Sequence, residues 1–302
     1  MLRLADHKRT VTSQDGEDGI VEFIFDKLGV EKGLCVEFGA WDGKHLSNTW
    51  NLWHNKGWSA VLIEGDSEKM QDLQRNTRDF PDVTCLGRFV GSEGPNSLDG
   101  LLREVDAPDS FELLSIDVDG DDYHIWKSLE GFRPKVVIIE CNPTFPPHVD
   151  FFDYPKGKNF GASALAQTRL AKEKGYRLAG CTRTNLFFLT DEVMGALGLE
   201  EPSLESVFCY ESLTYVIAPF KGGPLLTKRL PYLSTSSLPG VSAQALPHPM
   251  PAGSGLCPVV IIDRGFLLRL LPMLAPMIIV LRTIYRATRR LTGHLRRAQP
   301  ST

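Results

Sequence analysis

The sequence predicts an α/β protein built on a doubly wound, seven-stranded, mostly parallel sheet with an antiparallel final hairpin. Three observations predict it. Over roughly the first 190 residues, short apolar and β-branched runs alternate with helix-compatible segments, the pattern that crossover-connected parallel strands produce. Polar groups recur at the carboxyl ends of those runs, where open α/β sheets bind ligands. The last two runs are separated only by Cys181–Asn185, too short for a helical crossover, so they should pair antiparallel.

Taken in order, a helical pattern over Gly19–Leu28 precedes the strand Leu34–Phe38, which carries Glu37 and runs into the turn Gly39–Ala40–Trp41–Asp42–Gly43. Asn48–Lys56 has helical spacing and leads to the strand Ala60–Ile63, closed by Glu64–Gly65–Asp66. The helix Glu68–Asn76, the strand Val83–Val90 and the helix Ser97–Val105 follow. The strand Leu113–Ile116 ends in Asp117–Val118–Asp119 and gives way to the helix Tyr123–Leu129. Val136–Glu140 is the fifth strand and ends in Glu140–Cys141–Asn142. After the helix Ala162–Lys174, Tyr176–Gly180 and Leu186–Leu189 form the hairpin.

The 302 residues allow one catalytic-size domain, 1–222, and an appendage. Residues 223–258 are crowded with Pro, Ser and Gly and read as a flexible linker, and 259–302 read as an apolar and basic helical tail. Net formal charge is −4, but it divides into −13 for residues 1–222 and +9 for 223–302. An acidic body argues against nucleic-acid binding. In the tail, Gly265–Leu281 is apolar but broken by Arg269, Pro272 and Pro276, short of the roughly 20 residues that span a bilayer. It suits a helix lying in a membrane interface, with contact through residues 259–297, or one packed on the body or on a partner. The six cysteines show no CxxC pair, as expected of a reducing compartment, and Met1–Thr10 has no signal-peptide core. The expected location is cytoplasmic, either free or peripheral at a membrane.

Glycines at a strand-to-helix turn let a backbone approach a ligand that a Cβ would block. Glu64, ending the second strand, is placed to accept both ribose hydroxyls of an adenosine. The turn is not G-x-G-x-x-G, and Trp41 is bulky where a pyrophosphate wants small residues, so a cofactor without pyrophosphate fits better. Acids at strand ends can also simply solvate the edge or cap helices, but four such ends in one chain favour a site.

Four segments, Glu37–Gly43, Val61–Asp66, Leu113–Trp126 and Val137–Pro143, resemble the motif series of the FkbM-type class I S-adenosylmethionine-dependent methyltransferases. The resemblance covers roughly residues 11–190 and implies a Rossmann-like methyltransferase fold with the same final hairpin. It implies that Glu37, Gly39, Ala40, Asp42 and Gly43 hold the methionine and ribose end of S-adenosylmethionine, that Glu64 holds the ribose, and that Asp117 lies near the transferred methyl. Gln14 and Glu17 belong to a segment found ahead of the first strand in some relatives. They are placed either to close over the cofactor or to start a capped helix.

Methyl transfer to a hydroxyl needs in-line alignment and removal of a proton. Two arrangements are open. In one, Asp117, Asp119, Glu140 or His124 is the base. In the other, Asp117, Asp119, Glu140 and Asn142 bind a divalent ion, Mg2+ by ligand type, although acids at 119–122 also suit a helix N-terminus. Phe145, His148, Phe151, Phe152 and Tyr154 form a loop over the fifth strand, either an acceptor pocket or a cover for the sheet. The reading that follows is O-methylation of a small-molecule, sugar or lipid-linked hydroxyl. Its rivals are an NAD(P)-dependent oxidoreductase and a non-catalytic scaffold tethered to membranes.

Overall fold

The computed structural model describes residues 2–155 and 160–210, together with four short strands beyond them. Seven strands form one sheet: β1 (Leu34–Phe38), β2 (Ser59–Ile63), β3 (Val83–Leu86), β4 (Leu113–Ile116), β5 (Val136–Glu140), β6 (Tyr176–Cys181) and β7 (Asn185–Thr190). Their order is β3-β2-β1-β4-β5-β7-β6. The first five are parallel, and β7 lies antiparallel between β5 and β6, as the short Cys181–Asn185 connection requires.

The central strands are mostly apolar because both faces are covered, Glu37, Ser115 and Glu140 being their polar residues. On one face, Cys35, Leu62, Leu113, Ile138 and Phe187 pack in one buried cluster with Ile20, Val21, Ile24 and Phe25 of α1 (Glu17–Leu28). The other helices are α2 (Ser67–Thr77), α3 (Leu98–Glu104), α4 (Asp122–Ser128), α5 (Ala164–Glu173), α6 (Asp191–Leu197) and α7 (Leu204–Val207). Asp66, Ser97, Ser163 and Thr190 cap α2, α3, α5 and α6 with side-chain oxygens.

Two expected elements are shorter in the structure. The helical pattern of Asn48–Lys56 resolves into a single π turn, Asn51–Asn55, because Ser47 and Thr49 are drawn into the sheet edge by Glu37. The strand expected to reach Val90 stops at Leu86, where the Arg88 N–H turns back onto the Leu86 carbonyl.

Beyond this body, β8 (Val216–Ile217), β9 (Leu225–Leu226), β10 (Ala243–Ala245) and β11 (Pro258–Ile261) make a second sheet in the order β10-β11-β9-β8. The compact units divide at Leu213/Thr214. Short strands therefore occur within the stretch read as linker, and Val259–Ile261, read as the start of the helical tail, is extended. The apolar and basic run 265–297 lies outside the described residues. Among the described residues, no helix is long and apolar enough to cross a membrane, and the five cysteines described are free.

Candidate functional site at the carboxyl edge of the sheet

Side chains alternate across a strand, so register assigns the strand-end acids to faces. Glu140 of β5 pairs with Asn185 of β7, and Ile116 of β4 pairs with Ile139, which sets Asp117 beside Glu140 one step on. Phe38 pairs with both Ile63 and Ile116, so Gly39 falls between Glu64 and Asp117. Glu64, Gly39, Asp117, Glu140 and Asn185 thus make one row across five strands. It lies on the face that α1 covers lower down.

Gly39 is fixed by close approach. Its φ is +75°, and a Cβ there would lie 1.7 Å from the Asp117 carbonyl oxygen, so only glycine lets β1 and β4 end side by side. The turn is not an open cradle of amides, which corrects the sequence-based expectation. The Gly39 and Ala40 N–H groups both donate to the Ile63 carbonyl, and Gly43 N–H donates to Ala40. Trp41 N–H donates to Glu64 Oε2 at 2.7 Å. A pyrophosphate would find these donors taken.

Several expected ligands are occupied. Glu37 Oε2 accepts from Ser47 Oγ (2.5 Å) and Thr49 Oγ1 (2.7 Å), and Oε1 accepts from the Asn48 N–H (2.8 Å). Glu37 therefore positions the 47–49 loop from inside the protein. Asp42 Oδ1 accepts from the Lys44 and His45 N–H groups, shaping its own turn. Glu64 Oε1 accepts from Asp66 N–H, so each of its oxygens makes one such bond and keeps a lone pair for another donor. Asn142 Oδ1 accepts from Thr144 N–H and Oγ1, and Nδ2 donates to the Phe160 carbonyl. Asn142 thus holds its loop and offers no free oxygen of the kind an ion needs. His124 Nε2 bonds the Asp153 carbonyl at 2.7 Å, which ties α4 to the loop that follows β5.

The acids Asp117, Asp119 and Glu140 do converge: one oxygen from each lies within 4.8 Å of the others. Burial, with the charges of Asp122, Asp119, Glu37 and Glu17, pushes the Asp117 carboxyl up to about 8. Glu140 is raised well above the usual carboxylate range, first by burial and then by Asp117, Asp122 and Asp119. Asp122 shapes the loop beneath them, its two oxygens accepting the Val118 and Gly120 N–H groups while Asp119 holds a φ of +56°. Such clustering is costly in the ionised state unless protons or a cation neutralise it.

Sequence reasoning singled out Glu17 but not the partners with which it makes the second wall of the site. Glu17, fully buried at the start of α1, accepts from Thr182 Oγ1 (2.6 Å) and Asn185 Nδ2 (3.1 Å). Asp18 Oδ2 gathers the N–H groups of Val11, Thr12 and Ser13 and so fastens the segment ahead of α1, while Gln14 stays exposed. Asn185 is buried, and its Oδ1 has no hydrogen-bond partner among the described residues. The partners lie more than 160 residues apart in the chain, so no local motif signals them. Phe89 was also missed. It stands over Gly65, where a Cβ would lie 2.2 Å from its ring.

No family model and no curated protein matches the chain. Among solved structures, similar ones include a putative caffeoyl-CoA O-methyltransferase from Staphylococcus aureus, 13% identical over 61% of this chain and 87% of that one, with a TM-score of 0.40. M. capricolum TrmK, solved with S-adenosyl-homocysteine, is 11% identical over 55% of this chain and 68% of its own, at 0.36. A SAM-dependent methyltransferase from Aquifex aeolicus is 10% identical over 56% and 87%, at 0.35. At these values the likeness leaves the site to stand on its own residues.

Proposed function

We propose that the protein is a class I S-adenosylmethionine-dependent methyltransferase of the FkbM type that O-methylates a small-molecule, sugar or lipid-linked hydroxyl. The observation that carries this reading is the row of acids, with Asp117 and Glu140 held above their usual range beside the Gly39 turn. A cation belongs there. S-adenosylmethionine supplies an electrophilic methyl on a positively charged sulfur and carries an ammonium besides.

The residues fit that group in three respects. Glu64 keeps acceptor capacity for ribose hydroxyls, Asn185 Oδ1 is a buried acceptor without a donor, and the committed amides of the turn disfavour a pyrophosphate. Asp117, raised by burial and by its acidic neighbours, is a stronger base than an ordinary carboxylate once a cation beside it favours its ionised form. Asp119 and Glu140 flank it, one oxygen of each within 4.8 Å of the others.

Equilibrium titration with S-adenosylmethionine and with NAD tests the reading. Saturable binding of the first alone, lost in Gly39→Arg and weakened in Glu64→Ala, is expected; absence of binding at millimolar concentration sinks it. The spacing of Asp117, Asp119 and Glu140 also favours a second arrangement, in which these three hold a divalent ion that lowers the acceptor's pKa. Methyl transfer unchanged in excess chelator would eliminate that arrangement.

A further inference from the structure

Large apolar side chains are not scattered evenly over this surface. Among the described residues, six of the seven that are exposed, Trp41, Leu46, Phe89, Phe152, Tyr154 and Phe160, sit on loops leaving the carboxyl ends of β1, β3 and β5. Leu2 is the seventh. Phe89 and Tyr154 are 73% and 85% exposed. Single exposed apolar residues are ordinary, but a concentration along one edge marks an interaction surface.

The same edge carries cations in a body that is otherwise acidic. Lys69 Nζ lies 3.8 Å from the centre of the Trp41 ring, and Trp41 contacts His45. Next in sequence, Lys44 stands 5.0 Å from the Trp50 ring, which stacks on His54 at 4.0 Å. Neither Lys44 nor Lys69 forms a salt bridge with another described residue. Amphipathic aromatic rings, aliphatic tips and unpaired ammonium groups together match the boundary of a bilayer with anionic headgroups. A nucleic acid would suit the lysines, but the exposed Leu46 and Phe152 offer it nothing and favour an apolar phase beside the headgroups.

We infer that the carboxyl edge of the sheet docks on an anionic membrane surface and receives its acceptor hydroxyl from a lipid headgroup. The docking face stands on exposure and charge, whereas the lipid acceptor rests on the methyl-transfer reading. The loops that rim the acid row would then meet the bilayer directly. An acceptor could reach Asp117 without leaving the membrane.

All five tryptophans lie between residues 41 and 126. Trp53, Trp58 and Trp126 are buried and Trp50 is half-buried, so Trp41 is the exposed one. The full chain is mixed with vesicles of phosphatidylcholine and phosphatidylglycerol whose acyl chains carry bromine, which quenches nearby indoles. Sedimentation with the vesicles together with quenching is expected, and Trp41→Phe should lose the quenching while still sedimenting. Lys44→Ala and Lys69→Ala should each weaken the quenching titration by about fivefold, less so in high salt.

Sedimentation without quenching would mean that another part of the chain binds and would overturn the inference. So would quenching that survives Trp41→Phe, or no sedimentation at all. Leu46→Asp, outside the acid row, provides a second variant whose loss of quenching is expected. Binding of S-adenosylmethionine is measured separately without vesicles, so a failure there removes the lipid acceptor while the docking face is still judged by quenching.

Discussion

A Cβ at position 39 would meet the Asp117 carbonyl oxygen at 1.7 Å, and neither strand end can retreat without breaking sheet pairing. Gly39→Ala also places a side chain at a φ of +75°. Strain of this kind costs at least about 2 kcal/mol. In a domain of this size that lowers Tm by roughly 4–8 °C, read by thermal unfolding, together with loss of S-adenosylmethionine binding. Asp117 supplies a second test at this scale. Its folded pKa of about 8 lies above the ordinary aspartate value of 3.8, so its contribution to stability is present below pH 4 and is lost as pH rises through 8. Asp117→Asn should flatten that loss, and the variant should gain on the parent near pH 8 and above in denaturant titrations. A cation favours the ionised carboxylate, so cofactor affinity should rise between pH 6 and 8, and binding should release protons, seen as a buffer-dependent calorimetric heat. Asp117 and Glu140 were legible in the sequence because each directly ends a strand. The commitment of Glu37 was not, since its partners, Ser47, Asn48 and Thr49, share no spacing that announces a carboxylate anchor.

Between elements, the contact that closes the site is the bridge from α1 to the β6–β7 hairpin. Glu17 makes it, accepting from Thr182 and Asn185 while its other oxygen receives Asp15 N–H. Removing a buried acceptor leaves those donors unpaired, so Glu17→Ala should cost about 2–4 kcal/mol, measured by urea unfolding. Hydrogen exchange should rise first at Thr182–Asn185 and at the Val11–Ser13 segment that Asp18 fastens. A variant as stable as the parent would mean the bridge is incidental. The elements themselves were readable from periodicity: β1, β4 and β5 fall on the expected residues, because fully buried strands are short apolar runs bounded by polar punctuation. Asn48–Lys56 was not, because its helical spacing competes with the pull of Glu37 on residues 47–49. Sequence pattern reports local preference, and that competition is tertiary.

Across the whole molecule, the +9 formal charge of residues 223–302 adds a second contact with an anionic surface to the docking face inferred on a body that itself carries −13. One is the rim of the sheet edge, carried by Trp41, Lys44, Leu46 and Lys69 in the body; the other is the arginine-rich run 282–297, proposed from sequence alone. Two linked weak contacts bind more tightly than either does singly, because the second forms at high effective concentration. A chain ended at Gly222 should therefore float less with phosphatidylglycerol vesicles than the full chain, by tenfold or more on the order expected for linked sites. It should still bind S-adenosylmethionine, and whatever fraction floats should still show Trp41 quenched by brominated lipid. Equal flotation of the two chains would remove the tail from membrane binding. Flotation of the full chain with no quenching in either would leave the tail as the whole contact and the sheet edge facing water.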